Sequence, residues 1–523
     1  MKRALASGLE SIDGTVEGGA AGFIFFACFG AQAGLRAQKT IVKMNCHPPA
    51  NQVPVMQWIS GTLELTSKVR YGLSSHGHPL FRFIPYDRRW SPFAVASSIR
   101  DFSANIHAII EPLQTKGPSQ MPKGSIVQLL GQPSEHSEKA MLLMSYAYDS
   151  NKDLRKIIPC PASSFVADER EIVEGFTFHI DPLGCKDVDD AFTFKKLADG
   201  WKVYIHISDV DAWIPAASAA DEVAKRRATT FYSLEGKALA PMFPPTISEQ
   251  SASLLSDTAT SLKPALSLAF TWADGQIKDL RWTKTLIRCD RSFTYEEASS
   301  LVGSIPELAV LRDISVKLSP EQIDIHVDSH LWVQSMMILY NTRAGILLRE
   351  KGKGILRRHS AKKKELLAKF SPEFSFTMNA AEYVDARDED VAHAGLEKEA
   401  YAYATSPIRR YCDLVNQRYI KDILSPAASP FAVEIAPLVA ELNRRQKQER
   451  AFTRDLFFMQ VLSGKVKSVE GVAVSEKRVW IPEWKRCITV KKVTEGEKYT
   501  VTWYENRGLP HWKERIVFRA EAV

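Results

Sequence analysis

Four carboxylates fall within ten residues in the segment HIDPLGCKDVDDAF, residues 179–192: Asp181, Asp187, Asp189 and Asp190. The apolar run GFTFHI leads in, and AFTF leads out. Pro182 and Gly184 bend the chain directly after the first acid, so the pattern predicts strand, turn and strand with the acids gathered at one end. Carboxylates this close repel one another, and burial raises the cost. A hard divalent cation removes that cost, and Mg²⁺ takes oxygen ligands while keeping waters for substrate. Two such ions about 4 Å apart are an established way to cleave a phosphodiester. A solvated acidic loop and a calcium loop are the blander alternatives. The spacing fails the EF-hand template, and a surface loop would not need apolar strands on both sides.

A second motif is YAYATSPIRRYCDLVNQRY, residues 401–419. Thr405, Ser406 and Pro407 predict a helix start, with Pro at an early position. Arg409 and Arg410 would then sit in the first turns, where backbone N–H groups also favour anions. Paired guanidiniums there suit a phosphate backbone. The alternatives are an ion pair with Asp413 or a solvated face.

The rest of the chain sets the frame. At 523 residues it suggests about three domains. With 45% apolar and 25% charged residues, wholesale disorder is ruled out, and a net charge of +7 permits an anionic partner. The seven cysteines form no CxxC pair, which argues against a disulfide framework or zinc knuckle and for a reducing intracellular setting. No run reaches the length and apolarity of a membrane span, so no stable membrane association is expected. Residues 1–55 read as a leader or poorly ordered extension, with a targeting segment as the alternative and Met44 as an alternative start. Five short β-type runs over residues 56–155 suit an OB-type barrel. Residues 165–463 read as mixed α/β. Residues 465–523 return to short strands, a second candidate barrel, carrying Trp480, Trp484, Trp503, Tyr504 and Trp512 among basic neighbours. Such aromatics can stack bases, and about half are expected to be core.

Together the two motifs resemble the RNB catalytic domain of the ribonuclease II and ribonuclease R family, which includes the catalytic exosome subunit. The signature I-D-P-x-G-x-x-D-x-D-D is matched from Ile180 to Asp190, and T-S-P-I-R-R-Y from Thr405 to Tyr411. VYIHISDVDAWIP, RATTFY with APMFPPTIS, LKPALSLAF, SFTYEEAS and HAGL agree further. The resemblance implies a multidomain α/β fold in which small OB-type β-barrels flank a mixed α/β RNB catalytic domain. It implies a Mg²⁺-dependent, hydrolytic, processive 3′-to-5′ exoribonuclease on single-stranded RNA, releasing nucleoside 5′-monophosphates. Two Mg²⁺ ions are expected, replaceable by Mn²⁺. A monomer is expected, with a helicase or exosome-like adaptor as partner, in cytoplasm, nucleus or an organelle.

Carried over residue by residue, Asp181, Asp187, Asp189 and Asp190 are the expected metal-binding acids, with Asp189 the one chemistry most needs. Arg409 is expected to hold the scissile phosphate, with Arg410 as a further RNA contact. Tyr232 is expected to grip the 3′-terminal nucleotide, Tyr295 to contact RNA further back, and Glu449 to match a late glutamate near the site. There are departures. Gln334 and Ser335 replace a ribose-sensing glutamate region, which opens a reading with relaxed RNA/DNA discrimination. Lys263 stands where Arg is usual. His179 replaces a frequent Thr and is expected to be a structural substitution. A catalytically inactive RNA-binding scaffold of the same fold is the other rival.

Overall fold

The computed structural model describes residues 58–113, 121–147, 154, 157, 159, 170–255, 262–322, 324–359, 381–426, 430–464, 467–506, 509 and 512–523. The leader expected at residues 1–55 lies outside them.

The N-terminal runs form β1 (Ile59–Leu63), β2 (Leu80–Pro85), β3 (Phe93–Ala96), β4 (Ile106–Leu113) and β5 (Lys123–Gly131), closed into a barrel in the order β1-β2-β3-β5-β4. Only β3 and β5 pair in parallel. Alternation turns Phe81 and Phe83 inward with Leu63, Val95 and Ile110, which fill the barrel. Helix α1 (Glu135–Tyr146) follows. Its capping box satisfies two orphan donors: Ser134 Oγ accepts from Ser137 N–H, and Ser137 Oγ from Ser134 N–H.

The central domain is built on seven strands: β6 (Glu171–Ile172), β7 (Phe176–Ile180), β8 (Asp190–Leu197), β9 (Gly200–Ser208), β12 (Lys263–Ala273), β13 (Gln276–Ile287) and β14 (Arg291–Phe293). Their order is β14-β7-β8-β9-β12-β13-β6. Between β9 and β12 come α2 (Ala219–Arg227) and the small pair β10 (Phe231–Tyr232) and β11 (Ala238–Ala240). After β14 come α3 (Tyr295–Leu301), α4 (Pro306–Leu318), α5 (Ser329–Lys351), the pair β15 (Ile355–Arg358) and β16 (Glu382–Asp385), α6 (Tyr411–Leu424) and the long α7 (Ile435–Ser463). One sheet face carries Phe178, Phe192, Ile205, Leu266 and Leu268, which join residues of α5 and α6 in the main core. The other face carries a polar ladder. Thr177, Thr193, His206, Ser267 and Thr285, all buried, hydrogen-bond in sequence across five strands at 2.6–2.8 Å. Burial pushes the His206 imidazole down to about 3, so at neutral pH it is an uncharged relay in that ladder.

A buried ion network fastens α6 to the end of β9. Asp209 bonds Arg170 at 2.6 Å and Lys421 at 2.9 Å. Lys421 also meets Asp211, and Arg418 spans Asp211 and Asp221. Burial alone would raise the Asp209 carboxyl; the charges of Lys421 and Arg170 outweigh it and hold it at about 2.

The C-terminal strands are β17 (Ser468–Ser475), β18 (Arg478–Ile481), β19 (Arg486–Thr489), β20 (Lys498–Glu505) and, after the short α8 (Trp512–Arg515), β21 (Ile516–Ala522). Their order β19-β18-β17-β20-β21 does not close among the described residues, in contrast to the barrel expected. Phe458 and Val461 of α7 pack on the sheet's apolar cluster of Val479, Ile481, Val501 and Trp503. Trp480 and Trp503 are buried, Trp484 is half-buried and Tyr504 is exposed. The three units also join. Tyr86 of the barrel and Tyr146 of α1 both donate to Asp455 Oδ2 on α7, at 3.1 and 2.7 Å. Arg515 pairs with Glu138 at 2.7 Å, and Arg88 with Glu514.

Both Asp209 and His206 bind their proton more weakly folded than unfolded, from ordinary values of 3.8 and 6.5. Their contribution is therefore complete above about pH 6.5 and is lost as pH falls, first through His206 and then, below about pH 4, through Asp209, the latter on the order of 2 kcal/mol. Urea denaturation at stepped pH should show the midpoint falling continuously from pH 6.5 to 3; a flat midpoint would contradict this.

Candidate active site

Strand β7 ends one residue before Asp181, whose N–H donates to Phe293 O at 3.0 Å. Cys185 N–H then donates to Pro182 O, closing a tight turn with Gly184 at φ 79, the left-handed conformation that favours glycine. The turn sends the chain back so that β8 starts at Asp190, as the spacing predicts. Ser253 fixes the returning limb: its Oγ donates to Lys186 O at 2.7 Å and accepts from Val188 N–H at 3.1 Å. Ser208 N–H donates to Asp189 O at 2.8 Å. Backbone bonds and the Ser253 hydroxyl therefore hold the acidic loop on the sheet end.

The second motif arrives from the far side. Asn341 of α5 accepts from Ala404 N–H at 2.9 Å and donates to Tyr401 Oη at 3.1 Å and Thr405 Oγ1 at 3.2 Å. Gly345 permits this approach, since a Cβ there would lie 2.7 Å from the Tyr401 backbone. Arg409 O accepts from Thr230 N–H at 3.0 Å, and Ala228 O from Tyr411 N–H at 2.8 Å. The segment carrying Arg409 is thus paired with the one that leads into Tyr232.

These supports bring four predicted residues together. Asp189 is fully buried; its Oδ1 accepts from Ile408 N–H at 3.1 Å, and its Oδ2 lies 3.4 Å from Arg409 Nε. Tyr232 Oη donates to Asp187 Oδ2 at 3.1 Å. Burial and then the Asp187 charge push the Tyr232 phenol well up, with Asp189 adding to and Arg409 opposing that push. Asp187 also accepts from the Cys185 thiol at 3.7 Å. Asp181 is buried and bonds His179 Nδ1 at 3.0 Å. Asp190 is buried at the start of β8.

The donors are all carboxylate oxygens, the kind a hard divalent cation takes. They are held by different neighbours: Asp181 by His179, Asp187 by Tyr232, Asp189 by Arg409. Among the described residues no three His, Cys, Asp or Glu side chains already stand close enough to hold a metal ion. The donor set fits such an ion in chemistry.

The helix start and the place of Tyr295 differ from expectation, and the other residues are placed as follows. The helix begins at Tyr411, not at Thr405, so Arg409 and Arg410 precede it. Asp413 in its first turn accepts from Ser406 N–H at 2.8 Å, which holds residues 406–410 as a turn outside the helix. Arg410 serves the fold. It pairs with Asp413 through Nε and Nη2, both at 2.8 Å, and lies 3.9 Å above the Tyr403 ring. Tyr295 is 1% exposed and stacked on His330 at 3.7 Å, so its ring face is taken. Glu449 is half-buried on α7 and accepts from Thr453 Oγ1 at 3.3 Å. Ser335 is buried and bonded to Ser319, while Gln334 is half-buried. Sequence reasoning missed the roles of Asn341, Ser253 and Thr230, whose contacts join segments distant in the chain. No helix among the described residues is long and apolar enough to cross a membrane.

The fold is that of a multidomain α/β protein with an OB-type barrel, and in its central domain the buried Asp189 meets Arg409. Residues 169–314 and 373–426 match the RNB domain. It is 25% identical to the exosome complex exonuclease RRP44 of Mus musculus over 503 residues, covering 77% of this chain and half of that protein. It is also 34% identical to the 3′-5′ exoribonuclease HELZ2 of Homo sapiens over 142 residues, 27% of this chain and 5% of that protein. In structure it is similar to Mycoplasma genitalium RNase R in complex with ribose-methylated single-stranded RNA. The TM-score there is 0.70 at 14% identity, over 89% of this chain and 90% of that one. It is also similar to yeast Ssd1, a pseudonuclease, with TM-score 0.64 at 16% identity, over 86% of this chain and 67% of that one.

Replacing Asn341 by Ala removes three buried side-chain bonds at once. Guanidinium denaturation should show a loss of about 2–4 kcal/mol. A change below about 1 kcal/mol would mean that residues 401–405 are held by packing alone.

Proposed function

We propose that the chain is a divalent-metal-dependent, hydrolytic 3′-to-5′ exoribonuclease that degrades single-stranded RNA processively to nucleoside 5′-monophosphates. The observation that carries this reading is the meeting of Asp189 with Arg409, with Tyr232 on Asp187 beside them. An arginine beside a buried acid can exchange that partner for a phosphate, because its guanidinium fork suits either oxyanion. Arg409 would hold the scissile phosphate and stabilise charge developing there. Tyr232 would stack on the terminal base. Asp181, Asp187, Asp189 and Asp190 would hold Mg²⁺, which supplies an activated water and steadies the leaving oxygen. Asp189 would accept a hydrogen bond from an attacking water, leaving the water's oxygen free to face the phosphorus, and Glu449 is assigned a supporting part near the site. Products ending in a 5′-phosphate follow when the bond to the 3′ oxygen breaks.

Strand gathering is assigned to the outer units. Arg70 lies over Phe81 at 4.3 Å and over the exposed Phe102 at 5.2 Å. Arg519 lies 4.7 Å from the exposed Tyr504 ring. Cations beside open aromatic faces favour single strands with little sequence preference, and the binding weakens with salt. An exosome-like adaptor or helicase and a reducing intracellular compartment belong to the same proposal. The buried, bonded Ser335 does not favour direct ribose sensing at that position, so matched RNA and DNA oligomers belong in the test.

The test is a degradation ladder on 5′-labelled RNA, single-stranded and as a duplex with or without a 3′ overhang, with and without Mg²⁺. Stepwise shortening from the 3′ end that requires Mg²⁺ is expected. Asp189→Asn should lower the rate at least about a hundred-fold with RNA binding largely kept. If the wild-type chain leaves 3′-labelled RNA intact with Mg²⁺ present, a non-catalytic RNA-binding scaffold is the better reading.

A further inference from the structure

We infer that His179 is a positioning residue for Asp181, braced from behind by Ser292. His179 and Asp181 are two residues apart at the end of β7, where alternation places both side chains on one face. Strand β14 runs parallel beside β7 with Ser292 in register with His179. Two bonds result: His179 Nδ1 to Asp181 Oδ2 at 3.0 Å, and Ser292 Oγ to His179 Nε2 at 2.7 Å. The imidazole and the carboxylate are 2% and 3% exposed.

For a neutral imidazole the chemistry fixes the direction of both bonds. An ionised carboxylate only accepts, so Nδ1 carries the proton and donates to Asp181. Nε2 then accepts, and the Ser292 hydroxyl donates to it. The hydroxyl thereby selects the tautomer that Asp181 needs. The backbone of Asp181 is already tied to β14 through Phe293 O. With its main chain fixed there and Oδ2 assigned to His179, the carboxylate loses its rotation, and the direction of Oδ1 is set. Such outer partners commonly decide how well a carboxylate serves an ion, because a pre-oriented ligand gives up less freedom on binding. A Thr or a purely apolar side chain at 179 would lack a planar donor relayed to a second strand.

This inference rests on the reading that Asp181 helps hold a divalent cation. The test therefore measures binding as well as turnover. Mn²⁺ affinity of the full chain would be measured by titration calorimetry without RNA, alongside thermal midpoints and kcat and KM on a single-stranded RNA oligomer. The variants are His179→Phe, His179→Asn, Ser292→Ala and Asp181→Asn. His179→Phe should weaken Mn²⁺ binding at least about ten-fold and lower kcat, with KM for RNA within about two-fold. His179→Asn keeps an N–H close to the Nδ1 position and should restore most of the affinity. Ser292→Ala should cost about three-fold, as expected for loss of tautomer control through one removed bond.

Unchanged Mn²⁺ affinity in His179→Phe, with only a lowered thermal midpoint, overturns the brace. If Asp181→Asn loses the ion while His179→Phe keeps it, the brace alone fails and the metal reading stands. If wild type and Asp181→Asn bind Mn²⁺ equally, both fail at this residue. Should His179→Phe not fold, Ser292→Ala decides, and wild-type affinity there overturns the proposal.

Discussion

Asp189 joins two segments 219 residues apart, through the Ile408 amide on one oxygen and the Arg409 guanidinium beside the other. A buried charge is costly unless paired and hydrogen-bonded, so this acid sets a condition that the surrounding structure meets. The acidic loop must lie still, and the arginine segment must reach it. Ser253, Ser208, Asn341 and Thr230 each contribute bonds toward one of those ends, Ser208 and Thr230 through backbone amides and Ser253 and Asn341 through side chains.

Below that contact lies a second charged layer. Asp209, Asp211 and Asp221 draw Arg170, Lys421 and Arg418 into the interface between β9 and α6. The same helix carries Asp413, which holds the turn before it. One helix therefore supports the site through ionic contacts on two sides. This firm base contrasts with the outer units, where exposed aromatics beside arginines face solvent. The rigidity is placed where reacting groups need fixed geometry, and the open surfaces where a strand would be gathered.

Much of this is legible along the chain because it depends on neighbours in sequence. The short β-type runs before residue 155, LFRFIP among them, foretell the barrel wall, and Pro182 with Gly184 foretells the turn beneath the acids. Motif resemblance adds the separate roles expected of Asp189 and Arg409. The misreadings share one origin. TSP reads locally as a helix start, yet the Ser406 amide is taken by Asp413, and the strand-like pairing with Thr229 keeps residues 406–410 extended or turned. Tyr295 carries no local sign that His330, 35 positions on, would cover its ring. The final sheet reads as a barrel because strand propensity says nothing of whether its edge strands pair.

The sequence by itself determined the strand–turn–strand that concentrates four acids, and the division into β-rich ends and a mixed centre. Periodicity and turn chemistry act over a few residues, so they survive in a linear reading. The tertiary structure alone decided which partner each charged group took: Arg409 for Asp189, Asp413 for Arg410, Tyr232 for Asp187, and His179 with Ser292 for Asp181. Those choices follow from which strands and helices lie side by side, and burial makes each one energetically binding.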